Sequence, residues 1–131
     1  MILSLVNQKG GVGKTTTAVS LTAAMKSLGK RVLLCDFDPQ ANATSGLGVE
    51  KSDVISSIYD VIINDVPAKD AVIHTDFGDL IPSGAALAGA GIELVSLDRR
   101  EFRLKDALEP LKQEYDYIFI DCPPSLELLT L

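Results

Sequence analysis

Two groups of residues in this 131-residue chain are spaced for chemistry: glycines closed by a lysine and threonines, and aspartates that end apolar runs. The first group is Lys9-Gly10-Gly11-Val12-Gly13-Lys14-Thr15-Thr16-Thr17. Its glycines allow turns that a Cβ would obstruct, so consecutive backbone N–H groups can converge on an oligophosphate at the opening of a helix. Lys14 adds a cation for the β and γ phosphates, and Thr15 a hydroxyl for Mg²⁺. The competing interpretation, a glycine-rich turn with two solvated lysines, does not account for the apolar run before the segment and the amphipathic run after it.

The second group is Asp36, Asp38 and Asp121. Asp36 and Asp38 open a polar loop, Asp36-Phe37-Asp38-Pro39-Gln40-Ala41-Asn42-Ala43-Thr44-Ser45-Gly46, and Asp121 ends the run Tyr117-Ile118-Phe119-Ile120. Phosphoryl transfer consists mainly of positioning and of neutralising charge on the phosphoryl oxygens, so acids that hold a cation beside a phosphate loop suit it. Taken singly, Asp36 or Asp121 reads equally well as a helix cap. Together with the glycine loop they define a candidate nucleotide and metal site.

The elements that must position these groups alternate between strand and helix patterns. Residues 2–6 form an apolar run suited to a parallel strand covered on both faces. Ala18, Leu21, Met25 and Leu28 mark a helix over residues 15–28, with Gly29 placed to close it. Residues 31–35 predict a second buried strand. Ser52 as N-cap and the stripe Val54, Ile58, Val61 and Ile62 predict a helix to about Asn64. Residues 67–78 are ambiguous, with Pro67 able to open a short helix and His74 suited to a solvated or capping role. Leu80-Ile81-Pro82 is a short strand whose proline restricts it to an edge or a strand end.

Residues 85–97 predict a helix weakened by Gly89 and Gly91. Leu104, Ala107, Leu108 and Leu111 mark another within residues 99–115. There Pro110 either stops the helix near Glu109 or opens a short continuation. Residues 116–121 form the last strand, and Ser125 caps a helix that starts beyond it. The expected fold is one α/β domain over residues 1–131, a doubly wound, mostly parallel sheet with a P-loop, Rossmann-like layering and right-handed crossovers.

Composition narrows the function. Lys and Arg total 12 against 18 for Asp and Glu, a formal charge of -6, which argues against whole-surface affinity for nucleic acid or anionic membrane. Any DNA contact would need a local basic patch; Arg99, Arg100, Arg103 and Lys105 are the candidate, though they read first as a solvated face. Cys35 and Cys122 lack metal-ligand spacing and suit small buried positions in a reduced, cytoplasmic setting, a bridge between them being unneeded. No run reaches the ~18 apolar residues of a membrane span.

Counting back from Gly13-Lys14-Thr15 puts Gln8 where the ordinary P-loop pattern has its first glycine, and Lys9 stands ahead of the paired glycines. This arrangement resembles the deviant Walker A motif shared by partition ATPases, the Min-system ATPase, arsenite and tail-anchor ATPases and the nitrogenase iron protein. Asn7-Gln8-Lys9 through Thr16, then Asp36-Phe37-Asp38-Pro39-Gln40 with Asn42, Thr44 and Ser45, then Asp121-Cys122-Pro123-Pro124-Ser125, resemble the ParA/Soj chromosome- and plasmid-partitioning ATPases in particular.

The resemblance implies an ATP-binding and ATP-hydrolysing homodimer with Mg²⁺, the nucleotides lying between the subunits. Lys9 would reach the partner's phosphates, and Gly10, Gly11, Val12 and Gly13 would cradle the bound nucleotide. Lys14 would hold the β and γ phosphates, Thr15 the Mg²⁺ and Thr16 the α phosphate. Asp38 would orient the attacking water, and Asp36 and Asp121 would support the metal through water. It also implies a ParB-like centromere-binding partner, nonspecific DNA binding by the full-length family, no membrane, and a cytoplasmic, nucleoid-associated location. Members of the family are longer, so the chain is expected to be an N-terminal portion with an incomplete version of the fold. The alternative is a nucleotide- or phosphate-binding or self-associating module without turnover.

Overall fold

In the computed structural model, which describes residues 2–6, 12–38, 40–84 and 103–122, the buried apolar runs become strands. These are β1 (Ile2–Val6), β2 (Val32–Asp36), β3 (Ile73–Thr75), β4 (Gly78–Ile81) and β5 (Tyr117–Cys122). They form one sheet in the order β1-β5-β2-β4-β3. β1, β5, β2 and β4 are mutually parallel, and β3 folds back on β4 as an antiparallel edge. The expected mostly parallel sheet is present, with a hairpin at one margin that a strict alternation of strands and helices does not contain.

The helices are α1 (Val12–Ser27), α2 (Asn42–Gly46), α3 (Ile58–Ile63), α4 (Ala68–Ala71) and α5 (Arg103–Leu108), with 3₁₀ turns at Lys51–Asp53 and Glu109–Leu111. Side chains alternate across a strand, and here the alternation feeds two cores. Leu33 and Cys35 of β2, Ile118 and Ile120 of β5 and Ile81 of β4 pack with Ile58, Val61 and Ile62 of α3 and Leu104 and Leu108 of α5. Val32, Leu34, Leu80 and Phe119 face the other way, onto Ala18 of α1 and Ala43 and Leu47 in and after α2. The sheet is therefore wound on both faces, and Cys35 is a small buried core residue, as its sequence context implies.

α1 runs antiparallel to the parallel strands. Toward its end, the Lys26 ammonium donates to the carbonyl of Thr75 at 2.9 Å, near the start of β4, so its beginning lies at the opposite, C-terminal edge of the sheet. It starts at Val12, earlier than residue 15, which places Gly13 and Lys14 in its first turn. It ends before Leu28, which is exposed, and Gly29 closes it in a left-handed turn at φ 84°.

The single helix expected from Ser52 to Asn64 is replaced by a 3₁₀ turn and α3. Val54 packs against the α1-side core while Ile58, Val61 and Ile62 enter the other, and one straight helix cannot serve both faces. The cap is Ser57 rather than Ser52: its N–H donates to Asp60 Oδ2 at 2.9 Å in a capping box, while Ile55 stands exposed.

The three ambiguous prolines are placed. Pro67 caps α4, Pro82 follows β4, and Pro110 sits in the 3₁₀ turn that continues α5. β4 lies inside the sheet, so Pro82 marks a strand end and not an edge. Arg103 is not part of a solvated face. Its guanidinium donates to the Ile62 carbonyl and to Asp65 Oδ1 at 2.9 Å, tying α5 to the end of α3. The helices expected over residues 85–97 and after Ser125, and Arg99 and Arg100, lie outside the described residues. Among the described residues no helix is long and apolar enough to cross a membrane.

Gly78 opens β4 at φ +139°, and a Cβ there would lie 2.7 Å from Thr22 Cγ2 of α1. Backbone strain and overpacking coincide at this position. Gly78→Ala is expected to lower stability by about 2 kcal/mol in chemical denaturation, whereas Gly84→Ala, where nothing lies within 4 Å, changes it by less than about 0.5 kcal/mol.

Candidate functional site

Parallel pairing of β2 with β5 brings the strand-end acids together, with Asp36 opposite Asp121 in register. Both are fully buried. By the alternation of each strand they share the face of Leu34 and Phe119, which is the face α1 covers. Residues 12–16, the last part of the glycine loop, form the start of α1 at this same edge of the sheet. Lys9, Gly10 and Gly11 lie outside the described residues.

The loop after β2 is held by its own polar groups. The Asp38 N–H donates to Asp36 Oδ1 at 3.0 Å, and the Gln40 N–H to Asp38 Oδ1 at 3.0 Å, two successive Asx turns. The Ala41 N–H donates to the Asp38 carbonyl at 2.8 Å. Ala41 then takes a left-handed conformation at φ 57° and starts α2 with no side-chain cap of its own. Asp36 caps this helix from a distance: its Oδ2 accepts from the Thr44 amide at 2.8 Å and the Thr44 hydroxyl at 2.7 Å. Asp38 is almost wholly buried within the same cluster.

The helix-cap role weighed for Asp36 is thus real, and it limits what else this carboxylate can do. Three hydrogen bonds already occupy most of its acceptor sites, leaving it suited to holding a metal-bound water rather than to ligating a cation directly. Burial pushes its pKa up to about 6; the Thr44 hydroxyl and the Asp38 and Thr44 amides oppose that rise, and the Asp121 charge adds to it. A cation at this edge would offset the repulsion between the two acids.

Hard oxygen donors of this kind fit Mg²⁺. Among the described residues no group of three or more His, Cys, Asp or Glu side chains forms a metal cluster.

Thr44 is present in the motif read from the sequence but without a role, and Ser83 was missed. The Ser83 N–H donates to Thr44 Oγ1 at 3.1 Å and its hydroxyl to the Asp38 carbonyl at 2.7 Å. The signal that could have found it is a small hydroxyl residue just past a strand that neighbours β2. His74 takes no part in the site. It is exposed on β3 at the far end of the sheet, with Nδ1 2.7 Å from Asp79 Oδ1.

An AAA domain family model, AAA_31, matches residues 1–131. The chain is 58% identical over 132 residues to the sporulation initiation inhibitor protein Soj of Bacillus subtilis, covering 99% of this chain and 52% of Soj. It is 52% identical to the chromosome partitioning protein ParA of Myxococcus xanthus, covering 99% of this chain and 47% of that one. Among solved structures, the Mycobacterium smegmatis protein named cobyrinic acid a,c-diamide synthase, with bound ATP analogue and magnesium, superposes with a TM-score of 0.90 at 43% identity. That match covers 97% of this chain and 54% of the other. The chain spans about half the length of the curated relatives it matches.

The raised pKa of Asp36 sets a pH dependence. The folded chain holds this proton more tightly than the unfolded one, so the associated stability is present below about pH 4 and lost as pH rises through about 6. In metal-free buffer, denaturation of the wild type should therefore show a loss across this interval, on the order of 2 kcal/mol, that Asp36→Asn does not show. Equal slopes in the two proteins would contradict the burial argument.

Proposed function

We propose, from the premise that the chain belongs to the AAA domain family and to its ParA/Soj partitioning branch, that it is the nucleotide-binding portion of an ATP-driven dimer switch in chromosome or plasmid partitioning. The observation that carries the proposal is the buried, in-register pair Asp36 and Asp121 at the sheet edge where α1 begins with Gly13, Lys14 and Thr15.

In this reading residues 1–131 are the first part of a P-loop ATPase domain. The opening amides of α1 and the backbone of Gly10, Gly11, Val12 and Gly13 bind ATP phosphates, helped by the positive end of the helix dipole. Lys14 pairs with the β and γ phosphates, and Thr16 with the α phosphate. Thr15 donates its hydroxyl oxygen to Mg²⁺, and Asp36 and Asp121 hold the water around it. Bound Mg²⁺ supplies charge neutralisation on the phosphoryl oxygens. Asp38 orients the attacking water, and orientation is its contribution.

Lys9 reaches the nucleotide of a second copy, which makes ATP the gate of a homodimer. A ParB-like centromere-binding protein and nonspecific DNA are the partners of the whole protein, with DNA contact resting on residues outside this half. The working location is the cytoplasm, at the nucleoid.

Phosphate release with Mg²⁺-ATP tests the reading. Wild type is expected to exceed Lys14→Ala and Asp38→Ala by about 10²-fold, and turnover no greater than either variant's would leave a binding module without catalysis. Phosphate release with no carboxylic acid substrate present separates hydrolysis from the amide-forming chemistry named for the M. smegmatis neighbour. Lys9→Ala should weaken ATP-dependent dimerisation, followed by sedimentation, more than it weakens nucleotide binding to the monomer. Equal losses would argue against a role across the interface.

A further inference from the structure

We propose that Ser83 is a positioning residue that fixes both aspartates of the loop after β2. Its catalytic consequence rests on the ATPase reading above; its structural consequence rests on geometry alone. β4 pairs with β2, Ile81 opposite Cys35, so the chain leaving β4 passes directly beside the loop leaving β2. Ser83 lies there, 4% exposed.

Its hydroxyl donates to the Asp38 carbonyl at 2.7 Å, the same oxygen that accepts the Ala41 N–H. Its N–H donates at 3.1 Å to Thr44 Oγ1, whose own proton goes to Asp36 Oδ2 at 2.7 Å. One residue therefore holds the Asp38 peptide directly and orients the Asp36 carboxylate through a relay of aligned hydrogen bonds. Ser83 is itself anchored, because the carbonyl of Pro82 accepts the Ile58 N–H at 2.8 Å at the start of α3. The loop is held against the sheet and α3, so a shift in the segment after β4 changes where Asp38 stands.

A purely structural hydroxyl, satisfying a buried carbonyl and nothing more, would lower stability on removal without altering the balance between kcat and KM. The test compares the full chain with Ser83→Ala, Ser83→Cys, which keeps volume but donates weakly, and Ser83→Thr, which keeps the hydroxyl. Ser83→Ala and Ser83→Cys are expected to lower kcat for ATP about tenfold or more at unchanged KM, and Ser83→Thr to retain it.

Amide exchange is the second readout. In Ser83→Ala the amides of Gln40, Ala41 and Thr44 should exchange faster while those of β2 do not change. Unchanged exchange in the loop overturns the proposal. Faster exchange with undiminished kcat overturns the positioning of Asp38. If wild-type turnover does not exceed that of Lys14→Ala, the ATPase reading fails, and the exchange result decides by itself whether Ser83 holds the loop.

Discussion

Two carboxylates buried at adjacent register positions are the constraint on which the rest of this structure depends. Asp36 and Asp121 end neighbouring parallel strands, on one face, with neither exposed to water. Burying an ionised acid is costly unless hydrogen bonds or a counter-charge compensate; burial pushes the Asp36 pKa up to about 6 against the opposing effect of its hydrogen bonds. A positive charge beside the pair would favour the ionised forms. The opening of α1, with Lys14 and the positive end of the helix dipole, lies at the same edge of the sheet.

The loop between β2 and α2 is ordered by that constraint. Asp36 satisfies the Asp38 amide on one side and the start of α2 on the other, so its carboxylate acts as a hub. α2 in turn lies close against α1: a Cβ on Gly46 would stand 2.9 Å from Val19 Cγ2. Thr44 of α2 holds Asp36, so α1, α2 and the acidic loop form one packed unit.

The sequence makes the site legible where chemistry is carried by residue type. Glycines before a lysine and threonines, and acids after apolar runs, stand out because their local neighbours define them, and the alternation in residues 32–36 and 117–121 gives the sheet its two faces. The features that were not legible depend on long-range pairing. Ile73, His74 and Thr75 are too short a run to announce the edge strand β3. Val54 and Ile58 look like one stripe, yet they enter cores on opposite faces. Ser83 acquires its role because β4 lies beside β2, which no local pattern around Leu80-Ile81-Pro82 encodes.

The most direct test of the account is a map of backbone amide chemical shifts on addition of an ATP analogue with Mg²⁺. The predicted perturbations lie at the start of α1 and at Asp38, Gln40, Thr44 and Asp121, with His74 and Asp79 at the far end of the sheet unmoved. Shifts centred on that far end, or none at the acidic loop under saturating ligand, would contradict it.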